Sequence, residues 1–453
     1  MSWVNNELKP GQIKDKRLEK RLALILESLS ENPEESIPAA CHGWGETQAV
    51  YRFLDNDKVG LPEILEGHKA ATVERIGQQQ CVLLCQDTTF LTYSTEEPTG
   101  LGTLKHTQNE EYLLHPTVAF TPDRVNLGIL GAKFWQRPEE PVAAYRASKP
   151  IEEKESYRWL ESYDLACEVQ RECPDTLVIS VADREGDIHE WFLDAQNRSL
   201  DEKAEFLVRA KCNRRTENET QDYSYLWDEL SHSKVLGEMR IKTPRRGSKP
   251  SRTATLKLRA LEVELVGKAG RGKEPVTLTA VYAREHNPPK GESPIDWMLL
   301  TSLPVEDFQG AQTIVGWYKC RWEIEIYFRV IKQGCQIEKL RLEKDSRLLN
   351  AIGIYLIVGW RIHNITMQSR SYPETSCNWL FSEIEWKTIY LMQARKQPPK
   401  KAPPLRTITR MLAQLGGFLA RKGDGEPGIK NVWRGYRALQ NYIDAIEAMR
   451  TLS

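Results

Sequence analysis

CVLLCQDTTFLTY (residues 81–93) and TLVISVADREGD (residues 176–187) share one device: an apolar run of strand length that ends on a carboxylate. In the first, VLLCQ leads to Asp87; in the second, LVISVA leads to Asp183. An unpaired carboxylate at the end of a buried strand is costly to desolvate, so each needs a partner. If both strands lie in one sheet, the two carboxylates converge at its edge, and hard oxygen ligands of this kind suit magnesium or manganese. Either aspartate alone is also explained as a helix cap or a turn residue. Glu185 and Asp187 share the second stretch, so it does not itself choose the ligand, and Asp187 is also suited to cap a helix starting near Ile188.

Outward from these runs the pattern stays α/β. LLHPTVAFT (113–121) and VNLGILGAKFW (125–135), separated by Pro122 and Asp123, read as a hairpin. A helical segment from Glu152 to Cys173 leads into the second run. Three neighbouring strands, a helix and a fourth strand make a mixed sheet.

The chain has 453 residues, enough for two or three cores, with 40% hydrophobic and 28% charged residues, as in a soluble globular protein. Its 63 basic and 63 acidic side chains cancel, so net charge says nothing about a polyanionic partner, whereas charge distribution does. The start, MSWVNNELKPGQIKDKR, lacks the apolar stretch of a secretory signal. The longest apolar run, Ala351 to Trp360, is too short for a membrane span. Nine scattered cysteines without a CxxC pair fit a reducing cytoplasm rather than a zinc site or disulfide framework. Eight dispersed histidines, without HExxH, argue against a zinc hydrolase.

Asp15 to Asn56 read as a small helical unit. Leu18, Leu22, Ile25 and Leu29 form one face, with basic residues on the others, and a second helix covers Gly45 to Leu54. Such a pair suits a DNA groove and equally a solvated cap. Between Arg209 and Ala283 short β-like runs alternate with basic turns. Residues 234–273 hold 12 Lys or Arg against Glu238, Glu262 and Glu264, a surface for a phosphate backbone or a lysine-rich edge that resists aggregation. QARKQPPKKAPPLR (393–406) reads as a basic linker. In the last helix Val432, Tyr436, Leu439, Ile443 and Ile446 form a short heptad seam, suited to pairing with a second subunit and slightly more to docking on its own domain.

YKCRWEIEIYFRVIK (318–332) supplies the third acid. On a continuous helix, Tyr318, Arg321, Glu325 and Lys332 fall within a stripe about 60° wide. Trp322, Ile324, Ile326, Phe328, Val330 and Ile331 would bury most of the rest. A polar stripe on a buried helix is either an internal ion-pair ladder, with Arg321 and Glu325 at i,i+4, or an active-site face with Glu325 on metal.

The spacing Y-x2-R-x3-E-x6-K in this stretch resembles the signature of bacterial insertion-sequence transposases of the Tn5 type (IS4 group). DREGD resembles that family's DREAD motif, with Gly186 in place of alanine. QDTTFLTY resembles the block bearing its first catalytic aspartate, and HNPPKGESPIDWMLLTSLPV the segment before its catalytic helix. AVYRFLDN and LGGFLARK resemble its terminal domains, so the likeness spans nearly the whole chain in the family's order. It implies an α/β, RNase H-like mixed-sheet core with a β-rich insertion, flanked by helical terminal domains. The expected divisions are 1–64 for DNA-end binding, 65–375 for catalysis (insertion about 200–300) and 376–453 for dimerisation.

By the same resemblance Asp87, Asp183 and Glu325 form an acidic triad holding two Mg2+ ions, with Mn2+ able to substitute. Tyr318, Arg321 and Lys332 contact transposon-end DNA, and Trp297 stabilises a flipped base, where its sequence context reads as a core tryptophan. Arg209 and Lys211 match basic positions of the insertion, and Arg21 and Arg52 match end-recognition positions. The implied partners are double-stranded transposon-end and target DNA, with a homodimer in the synaptic complex and no membrane, in a bacterial cytoplasm. Around Glu31 and Asn32 this chain is acidic and polar where the family example has Lys-Tyr, so a different end sequence is expected. The implied activity is cut-and-paste transposition through a hairpin. The rivals are an RNase H-like nuclease without strand transfer and a non-catalytic DNA-binding inhibitor of transposition.

Overall fold

The computed structural model describes residues 3–8, 13–41, 43–96, 107–137, 150–217, 223–243, 251–266, 274–342 and 344–451. Its strands are β1 (Cys81–Gln86), β2 (Thr89–Glu96), β3 (Thr107–Phe120), β4 (Asn126–Trp135), β5 (Leu177–Ala182), β6 (Glu205–Arg209), β7 (Arg215–Glu217), β8 (Tyr223–Tyr225), β9 (Gly237–Thr243), β10 (Arg252–Leu265), β11 (Val276–Glu285) and β12 (Asp296–Thr301). The mixed α/β class expected from the sequence is what forms. The chain divides into two compact units. One comprises Gly77–Asp87 and Glu140–Trp322; the other comprises Met1–Ile76, Thr88–Glu139 and Glu323–Ser453.

In the first unit the strands run in the order β1-β5-β6-β12-β11-β10-β7-β8, with β9 on β10. β1, β5 and β6 are parallel, and their continuous apolar runs are buried on both faces, as parallel strands require. The helix Arg158–Glu172 packs on β5, and the helix His189–Asn197 connects β5 to β6. Trp159, Tyr163, Trp191, Phe192 and Phe206 fill the space between them, and the Tyr163 hydroxyl donates to the Ala204 carbonyl at 2.7 Å. From β12 onward the pairing is antiparallel. In β10, Ala254, Leu256 and Leu258 are buried and alternate with residues that are not, the period of a strand covered on one face. The short helix Leu226–His232 interrupts what reads as β-rich sequence. Of the basic residues counted in 234–273, Arg245, Arg246, Lys249, Lys268, Arg271 and Lys273 lie outside the described residues.

In the second unit β2, β3 and β4 form an antiparallel sheet, with the expected β3–β4 hairpin turning at residues 121–125. β4 bulges at Gly128, whose φ of +148° favours glycine. A Cβ there would sit 1.9 Å from the Thr72 hydroxyl on the helix Leu61–Ile76. The apolar run 351–360 belongs to the helix Asp345–Ser371, which is 27 residues long. This helix is long and apolar enough to cross a membrane, yet 89% of its most apolar 18-residue window is buried inside the protein. Its polar groups find partners there. Asn350 Nδ2 donates to the Leu54 and Val59 carbonyls, each at 3.0 Å, and Asn364 Nδ2 donates to the Asn126 carbonyl at 2.7 Å. This is a core helix.

The N-terminal helices Lys16–Glu31 and Trp44–Leu54 pack on each other, with Ser28 Oγ donating to Glu46 at 2.5 Å. Glu7 anchors the first short helix, Trp3–Glu7: its carboxylate, 3% exposed, takes Arg75 in a two-pronged ion pair (2.8 and 3.1 Å) and faces His68. Burial raises the Glu7 pKa, but His68 and Arg75 outweigh it and hold the carboxyl below its ordinary value.

The C-terminal helix Ile429–Thr451 resolves its own ambiguity. Val432, Tyr436, Leu439 and Ile443 are buried against Phe381, Trp386, Leu405, Ile408 and Leu412 of the same chain. The two helix backbones come so close that a Cβ on Gly435 would lie 2.0 Å from the Leu412 carbonyl oxygen. The heptad seam docks on its own domain, and a subunit contact through these four side chains, the other reading of the seam, is corrected.

Candidate active site

Asp87 and Asp183 follow β1 and β5, which pair in parallel with Cys85 opposite Val181. Two residues further along each strand come the two aspartates, so equivalent positions at one sheet end carry both. Each strand ends because its apolar run ends. Just inside that end, buried Gln86 Nε2 donates to Ser180 Oγ at 2.8 Å, tying the two strands together. This amide–hydroxyl bond was missed in the sequence because both residues read as ordinary strand positions. Asp183 Oδ1 accepts from the Glu185 amide at 2.8 Å, capping a short 3-10 turn. Its neighbour Glu185 turns away to pair with Arg158 at 2.6 Å.

Arg321 sits on Asp87, Nη1 to Oδ2 at 2.9 Å, both side chains largely buried. The guanidinium gives this carboxylate an opposite charge at hydrogen-bond distance. Tyr318 is 6% exposed, and burial pushes its phenol above the ordinary value while Arg321 and Arg209 pull it back. Asp183 is close enough to act in the opposite direction. The Tyr318 ring meets Trp297 edge to face, centroids 5.6 Å apart, and Arg209 donates to the Asp296 carbonyl at 3.0 Å. One unit therefore gathers Asp87, Asp183, Arg209, Trp297, Tyr318 and Arg321. Trp297 is half-buried on β12 opposite Ala283, neither a sealed core residue nor a free one.

The polar stripe is not one α-helical face. Phe308–Cys320 and Trp322–Arg329 are separate helical spans joined at Arg321, and Val330–Gly334 is a π turn. A π turn closes from i to i+5, so residues beyond it lose the 100° spacing. Lys332 lies in that turn, where its ammonium donates to the Phe90 carbonyl and faces Glu338 at 3.6 Å. Glu325 is half-exposed on its helix, whereas Glu323 is 2% exposed and faces Arg124 at 3.3 Å and His363 at 3.6 Å. The alternation in WEIEIYF hid this division of labour, because both glutamates read alike.

Asp187 does not cap the following helix. Helix His189–Asn197 is capped at Ile188, and the Asp187 carboxylate accepts from the Lys211 and Cys212 amides and from Arg214. A charged guanidinium and two amides outcompete a single helix-end amide for it. The Lys211 side chain is exposed. Arg21 is half-exposed and Arg52 exposed on the N-terminal helix pair.

Among the described residues no three His, Cys, Asp or Glu side chains gather into a metal-binding group. Two strand-end carboxylates with hard oxygen donors, one already holding a cationic group, fit a divalent ion in charge and donor type.

Three family models match the chain. Residues 1–59 match a transposase DNA-binding model, 176–358 a transposase DDE domain, and 357–453 a transposase Tn5 dimerisation domain. Among solved structures, the chain is similar to one described as a cryo-EM structure of piggyBac transposase synaptic complex with hairpin DNA. The identity is 8%, over 98% of this chain and 77% of that one, with a TM-score of 0.33, from which no shared fold follows. The DNA-binding, DDE and dimerisation matches occur in one chain in that order, leaving only residues 60–175 unmatched, and the protein belongs to the Tn5-type DDE transposases, metal-dependent enzymes that cut and join DNA.

Proposed function

We propose that this transposase moves its element by cut-and-paste, releasing it through hairpinned DNA ends and joining the freed 3′-OH ends to target DNA. The observation that carries the reading is the matched placement of Asp87 and Asp183 at the ends of paired parallel strands, with Arg321 on the first. Parallel β1, β5 and β6 beside the antiparallel strands support an RNase H-like core interrupted by β7 to β11. The organisation that follows is end binding by 1–64, catalysis by 65–375 and dimerisation by 376–453. A homodimer pairing two ends in the bacterial cytoplasm is its working form.

In this reading Asp87, Asp183 and Glu325 hold two Mg2+ ions, for which Mn2+ substitutes. Ions held there would supply positive charge to an attacking oxygen and to the leaving 3′ oxygen of an in-line displacement. Arg321 orients Asp87. Tyr318, Arg321, Lys332, Arg209 and Lys211 hold the phosphates of the cleaved end, and Arg21 and Arg52 read the end sequence. Trp297, anchored edge-on by Tyr318, offers a face on which an unstacked base rests while the freed 3′-OH reaches the opposite strand.

The test is an assay on duplexes carrying the native ends of the element, with target DNA and magnesium. Nicked, hairpinned and target-joined products are expected in succession. Cutting without any joined product would identify a nuclease, and binding without cutting an inhibitor. In the same assay Trp297→Ala should reduce hairpin formation about 10-fold more than first-strand nicking, since base–aromatic stacking contributes roughly 1–3 kcal/mol. Equal losses at both steps, with a lowered melting temperature, would return Trp297 to the core.

A further inference from the structure

Asp187 is the acid of DREGD that the metal reading leaves over. Its side chain is fully buried, four residues past Asp183. Oδ2 accepts from the Lys211 amide at 2.8 Å and the Cys212 amide at 3.1 Å. Oδ1 accepts from Arg214 Nε at 2.8 Å and from Arg214 Nη2 at 2.6 Å. The same Nη2 donates to the Asp187 carbonyl at 2.8 Å, and the guanidinium lies over the Phe192 ring at 5.8 Å. A carboxylate has about four acceptor directions, and here four donors fill them. It has no oxygen to spare for an ion.

What those donors share is their place in the chain. β6 ends at Arg209, the Ala210 amide still donates to the Met298 carbonyl at 2.8 Å, and the next two amides both turn onto Asp187. The carboxylate therefore ends β6 and fixes the backbone at Lys211, whose side chain stands in solvent. Arg209 is held from the other side by the Asp296 carbonyl.

We propose that Asp187 is a positioning residue for DNA: it locks the exit of β6 so that Lys211 and Arg209 meet the phosphate backbone of the transposon-end duplex as a pre-set cationic pair. This rests on the reading of those two residues as DNA contacts. A backbone fixed before binding spares the complex the ordering of that loop.

The test measures binding of the full chain to a native-end duplex by fluorescence anisotropy across a salt series, together with the magnesium midpoint for cleavage at saturating DNA. Lys211→Ala should weaken binding by about 3- to 10-fold and flatten the log–log salt slope by about 0.9, the signature of one lost phosphate contact. Asp187→Ala should weaken binding by about 10-fold with a similar flattening and leave the magnesium midpoint where it is. The double variant should bind no more weakly than Asp187→Ala, because residues acting through one contact are not additive. Asp187→Asn, which keeps an oxygen for the two amides but turns its NH2 toward Arg214, should show a smaller loss with the same non-additivity, and melting curves of each variant separate a lost lock from a lost fold. Normal binding by Asp187→Ala beside a weakened Lys211→Ala would overturn the proposal. So would additive losses in the double variant, or normal binding with a raised magnesium requirement, which would make Asp187 an ion ligand. Normal binding by both Lys211→Ala and Arg209→Ala would instead remove the DNA-contact reading, and this inference with it.

Discussion

Asp87→Asn, Asp183→Ala and Glu325→Ala are each expected to lower strand cleavage by on the order of 10³-fold or more while leaving transposon-end binding within a few-fold of the parent. The chemistry needs ionised carboxylates at the reacting phosphate, and none of the three substitutions touches the N-terminal helices matched to DNA binding. Asparagine is the better choice at position 87. Arg321 is 9% exposed and lies 2.9 Å from Asp87, so alanine would leave a buried guanidinium without that partner and confuse lost chemistry with lost structure. Asparagine keeps an oxygen for Arg321 but gives up the charge. Cleavage gels in magnesium and in manganese, run beside gel shifts and melting curves, decide the matter. Near-parental cutting by any one variant would remove that residue from the triad.

Leu439→Asp should unfold the C-terminal helical cluster rather than merely separate subunits. Leu439 is 1% exposed in an apolar cluster with Trp386, Leu412 and Phe381, and the Arg361 guanidinium beside Tyr436 of that cluster is already paired with Glu385 at 2.9 Å. Losing the buried leucine and desolvating a charge together cost on the order of 3–5 kcal/mol. Ile443→Asp, at 6% exposure in the same cluster, should behave alike. Thermal unfolding followed by circular dichroism should show a lower midpoint, and paired-end complexes should disappear as the fold does. A variant with a parental melting curve that fails only to pair ends would show that the seam meets another subunit after all. Dimerisation, which the family match assigns to 357–453, then has to use surface other than these side chains.

The π turn at Val330–Gly334 shows how far a periodicity argument reaches. Spacing put Tyr318, Arg321, Glu325 and Lys332 on one stripe of a continuous helix, whereas Tyr318 and Glu325 stand on separate helical spans. It could not foresee the break at Arg321 or the widened turn that holds Lys332 on Phe90, because both arise where the helix meets neighbouring strands and loops. Glu323 and Glu325 make the same point. Only the packing of Arg124 and His363, distant in sequence, makes one of them a buried structural acid.

Local chemistry was enough to determine the strand ends. An apolar run of strand length that stops at a carboxylate favours a strand end there, so the ends of β1 and β5 at Asp87 and Asp183 were legible, though not the role of either acid, as were the β3–β4 hairpin and the mixed α/β class. The register that sets Cys85 opposite Val181 was not legible, because parallel partners 96 positions apart leave no mark on either local pattern. Nor was the fate of Asp187 or of the Leu439 seam. A carboxylate takes whichever donors the fold delivers, and an apolar stripe packs on whichever apolar surface lies nearest. Here those were the Lys211, Cys212 and Arg214 donors and a neighbouring helix of the same chain, choices that only the tertiary structure makes.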